Sequence, residues 1–312
     1  MILVAGSANL DFVVRAAHIP APGETVLGQT FATYPGGKGA NQAVASARAG
    51  GAPTAMLLAL GDDAHALPLL ASLESAQVRL HTVRCPEDAT GCAFICVADD
   101  AENAITVAPG ANLCLKSQHL PELPGFSHLL MQLEIPVATV TAYAQRAQAA
   151  GVQVVLNAAP AQALPHELLQ AVDLLVVNEG ELRALVAQAG SVIAMLRQLE
   201  VPTVVVTLGQ RGCLARQHDA FVLQPAFQIT AVDTTAAGDT FCGTLVAHLS
   251  RGETLGQALR KASAAAALAC TAGGAQSSIP TAHAVDTFLR QQPMSGEQQI
   301  DALSRYCGLD AL

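Results

Sequence analysis

The sequence predicts an α/β fold in which a mainly parallel central sheet is flanked by helices. Apolar runs closed by a polar or glycine residue recur along the chain, as in SHLLMQLEIP, GVQVVLNAAP, VDLLVVNEGE and VPTVVVTLGQRG, with helical stretches between them. That alternation is the pattern of a parallel sheet covered by helices. With 312 residues, 51% of them hydrophobic, the chain can bury a sizeable core as one large α/β domain or two smaller ones. Short apolar pieces broken by Pro20, Pro22 and Gly23 add an extended excursion from the main sheet.

Composition narrows the function classes. Charged residues interrupt the hydrophobic stretches, leaving no uncharged run long enough to span a bilayer. The opening MILVAGSANLDFVV lacks the basic start and cleavage site of a signal peptide and reads as a first buried strand, so the expectation is a soluble, cytoplasmic protein without a membrane partner. A net charge of −9 and the lack of any Lys/Arg run argue against nucleic acid, though not against a small anion held by backbone N–H groups. The eight cysteines are scattered without paired metal spacing and read as buried, reduced thiols. Cys92 and Cys96 would share one strand face as packing residues.

Taken in order, the first apolar run is closed by Gly6, Ser7, Ala8 and Asn9, with Asp11 just beyond it. At the carboxyl end of a strand Asp11 could accept hydrogen bonds from sugar hydroxyls, or serve as a turn residue. In YPGGKGANQAVASARAGG, Gly36, Gly37 and Gly39 would let the backbone approach a ligand closely, and the Ala-rich segment after Asn41 predicts a helix. A Walker A loop fails because Gly39 follows Lys38, and the dinucleotide fingerprint fails because Gln42 takes the third glycine position. What remains is a glycine-rich loop entering a helix, with Lys38 and Asn41 as polar contacts for a small ligand, or a tight structural turn. A strand over 54–61 and a helix to about Ala76 follow; the strand-like segments 78–84 and 91–108 could complete the excursion.

Several strand ends carry usable chemistry. Glu134 follows one, Asn178 and Glu181 another, and Thr207 to Gly212 a third. Carboxylates there could organise water around Mg²⁺, and the glycine turn could run beside a nucleotide. Equally, Asn178 could cap a helix, Glu181 offset its dipole, and GQRG turn a hairpin. The densest stretch is AVDTTAAGDTFCGTLVAHLSRG, where a helix is expected to start at Ala236, Ala237 and Gly238. Unpartnered N–H groups at that start can hold an oxyanion, while Asp239 in the first turn could take a proton from a hydroxyl or merely offset the dipole. Leu255 to Cys270 is predicted helical, and TAGGAQSSIP after it suits a monovalent cation or an ordinary C-cap. The tail 293–312 is polar and can form a helix; the sequence assigns it no role.

Together, GSANLD, PGET, GGKGANQAVASARAG, QLE, NAAPA, NEGE, TLGQRG, DTTAAGDTFCG and GGAQSS occur in the order seen in the ribokinase branch of the PfkB carbohydrate kinases, and residues 1 to about 290 resemble that family. The resemblance implies a kinase domain over 1–292 with a small β-sheet lid from about 12–34 and 90–108, and a homodimer formed through the lid. It implies ATP-dependent phosphorylation of D-ribose at O5, with deoxyribokinase or another sugar or nucleoside kinase as the alternative. An idle sugar-binding protein on the same fold is the rival from another class. By resemblance, Asn9, Asp11, Gly37, Lys38, Gly39, Asn41, Glu134 and Asp239 surround the sugar, and Asn178, Thr207, Gly209, Arg211, Gly212, Gly238 and Ser263 lie along ATP. Asp239 is the base, and N–H groups at Ala236, Ala237 and Gly238 form the anion hole. Glu181 acts on Mg²⁺ through water, while Asp233, Thr235, Ala269, Ala272, Gly274 and Ser278 surround K⁺. The chain departs from the pattern in the compact stretch between Leu185 and Val201, at Ala272-Gly273 before GAQ, and at Leu10, which bears on the sugar pocket.

Overall fold

The computed structural model describes residues 1–100 and 102–309; Ala101, within the expected lid, and 310–312, within the tail, lie outside the described residues. The chain begins with β1 (Ile2–Ala5), leaves the main sheet for β2 (Asn9–Arg15) and β3 (Thr30–Gly36), and returns through α1 (Lys38–Arg48) to β4 (Thr54–Leu60). Helix α2 (Ala66–Ser75) leads to β5 (Arg79–Arg84), and a second excursion forms β6 (Gly91–Val97) and β7 (Asn103–Ala108). Strand–helix alternation then runs β8 (His128–Met131), α3 (Val137–Ala149), β9 (Gln153–Asn157), α4 (His166–Gln170), β10 (Leu174–Asn178), α5 (Glu179–Leu185), α6 (Val192–Leu196) and β11 (Thr203–Thr207). A hairpin of β12 (Gly212–Gln217) and β13 (Ala220–Pro225) precedes α7 (Ala237–Leu249), α8 (Leu255–Ala269), α9 (Ala282–Gln291) and α10 (Glu297–Cys307).

The main sheet has nine strands in the order β13-β12-β11-β10-β9-β8-β1-β4-β5. From β11 to β5 all neighbours are parallel, and the β12–β13 hairpin adds an antiparallel edge. The continuous apolar strands follow from burial on both faces. Leu3, Leu129, Met131, Val154, Leu156, Leu175, Val177, Val204 and Val206 belong to one core. Their neighbours Ile2, Val4, Leu130, Val155, Val176 and Val205 belong to the other, beneath α1, α7 and α8. Strand order runs outward in both directions from β1 and β8, so the carboxyl ends of the central strands open a crevice at this switch point.

Three sequence expectations are corrected. The opening apolar run is two strands, because the backbone turns at Gly6–Ala8 and β2 enters the second sheet. That sheet, ordered β3-β2-β6-β7, spans 9–36 and 91–108, so Asn9, Leu10 and Asp11 lie within it rather than beyond the end of a main-sheet strand. Asp11 is therefore no turn residue; it pairs across the sheet with Tyr34 and Ala93. Segment 79–84 is not part of the excursion: α2 returns the chain in parallel register to β4, making β5 the main-sheet edge. The β12–β13 hairpin itself was not foreseen.

Candidate active site

Helices α1 and α7 cross in close contact, and that crossing builds the site. A Cβ on Gly243 would lie 2.4 Å from the Gln42 carbonyl oxygen and 2.7 Å from the Ala45 Cβ, so only glycine lets α7 press this far onto α1. Ser46 Oγ seals the crossing by donating to the Gly243 carbonyl at 3.0 Å. One turn earlier on each helix the polar residues meet: Asn41 Nδ2 and Gln42 Nε2 each donate at 2.9 Å to Asp239, one to each carboxylate oxygen. Asp239 is 8% exposed.

Behind this pair extends a network of buried amides. Gln42 Nε2 also donates to Asn157 Oδ1 at 2.9 Å, Gln132 Nε2 donates to Gln42 Oε1 at 2.6 Å, and Gln276 Nε2 donates to Asn41 Oδ1 at 3.1 Å. Asn157 donates in turn to the Val176 carbonyl, and Ser72 Oγ to Gln276 Oε1. Each amide is oriented by a neighbour, which fixes the two donors facing Asp239. The sequence reading missed Gln42, Gln132, Asn157 and Gln276. Their signals, amides in ANQA, MQLE, LNAAP and GGAQ, were legible as motifs but not as one network.

The other end of the crossing holds the glycine-rich loop. Gly37, with φ +87°, turns the chain against Ala8 and Asn9, and a Cβ on Gly39 would come within 2.7 Å of the Gly6 and Ser7 backbone. Gly36 faces the Asp11 carboxylate in the same way. Gly37 and Gly39 thus accommodate the β1–β2 connection. The Lys38 N–H donates to Glu134 Oε2 at 3.0 Å, and Ser7 Oγ donates to the same oxygen at 2.5 Å. Asn9 is turned by Asn112, whose Nδ2 donates to its Oδ1 at 2.7 Å.

Three carboxylates, those of Asp239, Glu134 and Glu181, act on one lysine. The negative charge of Asp239 raises the Lys38 pKa, burial works against it, and Glu134 and Glu181 add to the rise. Asp11 is pushed up to about 7, chiefly by burial and then by Glu134 and Asp239. Glu181 is raised as well, by burial first.

A cavity of about 160 Å³ lies at the carboxyl ends of β9, β10 and β11, walled by Lys38, Asn157, Asn178, Glu181, Thr207, Ala236, Gly238, Asp239 and Cys242. Asn178 caps α5: its Oδ1 accepts from the Glu181 N–H and Glu181 Oε2 accepts from the Asn178 N–H, both at 2.8 Å. The capping role and the position on the cavity wall coexist. Ala236 takes a left-handed conformation, φ +57°, ahead of α7, and the Ala237 N–H donates to the Thr234 carbonyl at 3.2 Å. Space beside Gly238 is open. A larger hollow, about 320 Å³, sits at the opposite end of the sheet against His128, Gln153, Asp173 and Thr203. It carries none of the sequence motifs and lies where strands begin, away from Asp239.

Other candidates are dispersed. Gly209–Arg211 form the 3₁₀ turn joining β11 to β12, so GQRG is a hairpin connection whose first flank, Thr207, reaches the cavity. The Arg211 guanidinium lies over the Tyr306 ring instead. Ser263 on α8 faces Cys213 of β12 at 3.8 Å. Asp233 accepts from Thr235 N and Oγ1 through one oxygen and from Gly274 N, at 2.9 Å, through the other, drawing those three residues together. Ala269 accepts from the Ala272 N–H, and Ser278 Oγ donates to the Ala275 carbonyl.

The family profile described as pfkB family carbohydrate kinase matches residues 1–282. The chain belongs to the pfkB family of carbohydrate kinases. Among pfkB relatives, a ribokinase of Haemophilus influenzae is 39% identical, covering 92% of this chain and 98% of its own. A deoxyribokinase of Salmonella typhi is 32% identical over 92% of this chain and 98% of its own. The structure of Arabidopsis thaliana ribokinase complexed with ribose and ATP superposes with a TM-score of 0.84 at 30% identity, covering 93% of this chain and 98% of that one. In this pfkB chain the site just described lies within the matched region, whereas α10 lies beyond it.

Proposed function

We propose that this carbohydrate kinase transfers the terminal phosphoryl group of ATP to O5 of D-ribose. The observation that carries the reading is Asp239: a carboxylate at the start of α7, gripped on both oxygens by amide donors, facing a cavity that Lys38 shares. Held in that way, it has lone pairs left to accept the proton of a sugar hydroxyl as attack on phosphorus develops. Lys38, kept charged by the surrounding carboxylates, and the N–H groups at the start of α7 would draw off the negative charge that spreads over the transferring group. Asn9, Asp11, Asn41 and Glu134 would bind the sugar on the second-sheet side, and Asn178 and Thr207 the nucleotide on the other.

Two ions complete the proposal. Glu181, whose side chain borders the cavity, would hold Mg²⁺ through water, and the ion would supply positive charge against the nucleotide's phosphates. For K⁺, Asp233, Thr235, Ala269, Ala272, Gly274 and Ser278 offer oxygen donors of the type a hard cation takes, and Asp233 already ties its loop to Gly274. Bound there, K⁺ would order the segment that carries Ala236. The second sheet would act as a lid over the sugar and as the surface of a homodimer. No helix among the described residues is long and apolar enough to cross a membrane, in keeping with an enzyme acting in the cytoplasm.

Coupled ADP release over a panel of pentoses, hexoses and nucleosides tests the reading. D-Ribose should give the highest kcat/KM, and exchanging Na⁺ for K⁺ should raise the rate. A higher kcat/KM for 2-deoxyribose or a nucleoside would reassign the substrate, and ADP release indifferent to every sugar would overturn the kinase reading.

A further inference from the structure

The C-terminal helix α10 carries residues that the reaction just described leaves unused. Leu303 and Cys307 are buried in the same core as Val177, Val206, Leu208 and Leu214, and the helix packs on β13 and α6. The residue between the two anchors' turns, Tyr306, is 38% exposed and faces along the protein surface. Its hydroxyl donates to Glu179 Oε1 at 2.7 Å, and its ring lies beneath the Arg211 guanidinium, whose carbon stands 4.1 Å from the ring centroid. Glu179 immediately follows Asn178, and Arg211 ends the turn that begins after Thr207 and Leu208. A single side chain from outside the family match thus ties together the two strand-end segments that wall one side of the cavity.

The tie has a mechanical reason. The 209–211 turn opens on left-handed Gly209, φ +56°, with open space beside it, and closes on Gly212, φ +110°, which packs against the β13 backbone, so the turn's conformational freedom lies at its first residue. Among the described residues the Arg211 guanidinium forms no ion pair, so the Tyr306 ring is its partner. A cation over an aromatic face restrains such a turn without closing it.

We propose that Tyr306 is a positioning residue for the nucleotide: through Arg211 and Glu179 it holds the loops after β10 and β11 in the arrangement that receives ATP. This rests on the reading that the nucleotide binds beside Asn178 and Thr207.

The test compares Tyr306→Ala and Tyr306→Phe with the unaltered protein, measuring Mg-ATP affinity by calorimetry, steady-state constants for each substrate, and the thermal midpoint. Tyr306→Ala should weaken ATP binding and raise its KM about 3- to 10-fold, with kcat and the KM for ribose within about twofold. Tyr306→Phe, which keeps the ring, should recover most of that loss. In an Arg211→Met background, Tyr306→Ala should have a much smaller effect on ATP. ATP affinity unchanged in Tyr306→Ala, or a loss shared equally by kcat, both KM values and the thermal midpoint, overturns the proposal. Because the affinity readout needs no turnover, a protein that binds ATP but phosphorylates no sugar refutes the kinase reading and leaves this one to stand or fall on the calorimetry.

Discussion

Asp11 is the residue at which site chemistry and stability are most openly linked. Burial raises its carboxyl from 3.8 to about 7, with Glu134 and Asp239 adding to the rise, because charging it here adds a negative charge beside two other carboxylates. A pKa higher in the folded than in the unfolded chain favours folding below the unfolded value, and that contribution is lost as pH rises through about 7. Urea midpoints of Asp11→Asn should therefore fall less between about pH 5 and about pH 8 than those of the unaltered protein. Equal slopes for the two would show that Asp11 does not carry the linkage. Sugar affinity should run the other way, because the ionised carboxylate accepts more hydroxyl hydrogen bonds: the KM for ribose should improve as pH rises through this range and lose that dependence in Asp11→Asn. The residue type and its neighbourhood to glycines were readable in GSANLD and PGGKG. Its raised pKa was not, because Glu134 and Asp239 reach it only through the folded chain.

At the scale of elements, the decisive contact is between α1 and α7. The Ala-rich composition after Asn41 and the helical spacing after Gly238 made both helices legible, and α7 begins at Ala237 as its small residues suggested. Helix α1 starts earlier than foreseen, at Lys38, because the Gly37 turn delivers the chain directly into it. The crossing could not be read, since nothing in DTFCG says that its glycine will meet Gln42 and Ala45. For the same reason the amides of Gln42, Gln132, Asn157 and Gln276 were passed over: uncharged side chains declare a role only when a fold points them at one another. Gly243→Ala should force the helices apart, cost roughly 1–3 kcal/mol in unfolding free energy by overpacking, and lower kcat more than either KM by loosening the Gln42–Asp239 bond. Denaturant titration and steady-state kinetics read both effects; unchanged kcat would mean that the crossing does not position Asp239.

For the whole molecule, the parallel sheet and its crevice followed from the recurring apolar runs, while the β12–β13 edge escaped notice because half-buried hairpin strands lack such a run. The second sheet raises the question of assembly. Phe31, Phe94, Ile105 and Val107 are all more than 40% exposed on it, and Phe12 stacks with Phe31 and Phe94. So much apolar surface on one four-stranded sheet is unusual for a solitary chain, and the proposed homodimer would cover it. Sedimentation should give a dimer, and Phe94→Asp or Ile105→Asp should yield a folded monomer with a weakened grip on the sugar. A native monomer would remove the dimer from the account.

The account as a whole depends on what the Asp239 carboxylate does once both of its oxygens are held. Single-turnover phosphorylation of ribose by Asp239→Asn, run beside calorimetric binding of ribose and Mg-ATP, tests that most directly. The rate should fall about 10²- to 10⁴-fold while the folded protein still binds both substrates, as expected when a general base is lost. A rate within a few-fold of the unaltered protein's would contradict the assignment and with it the mechanism.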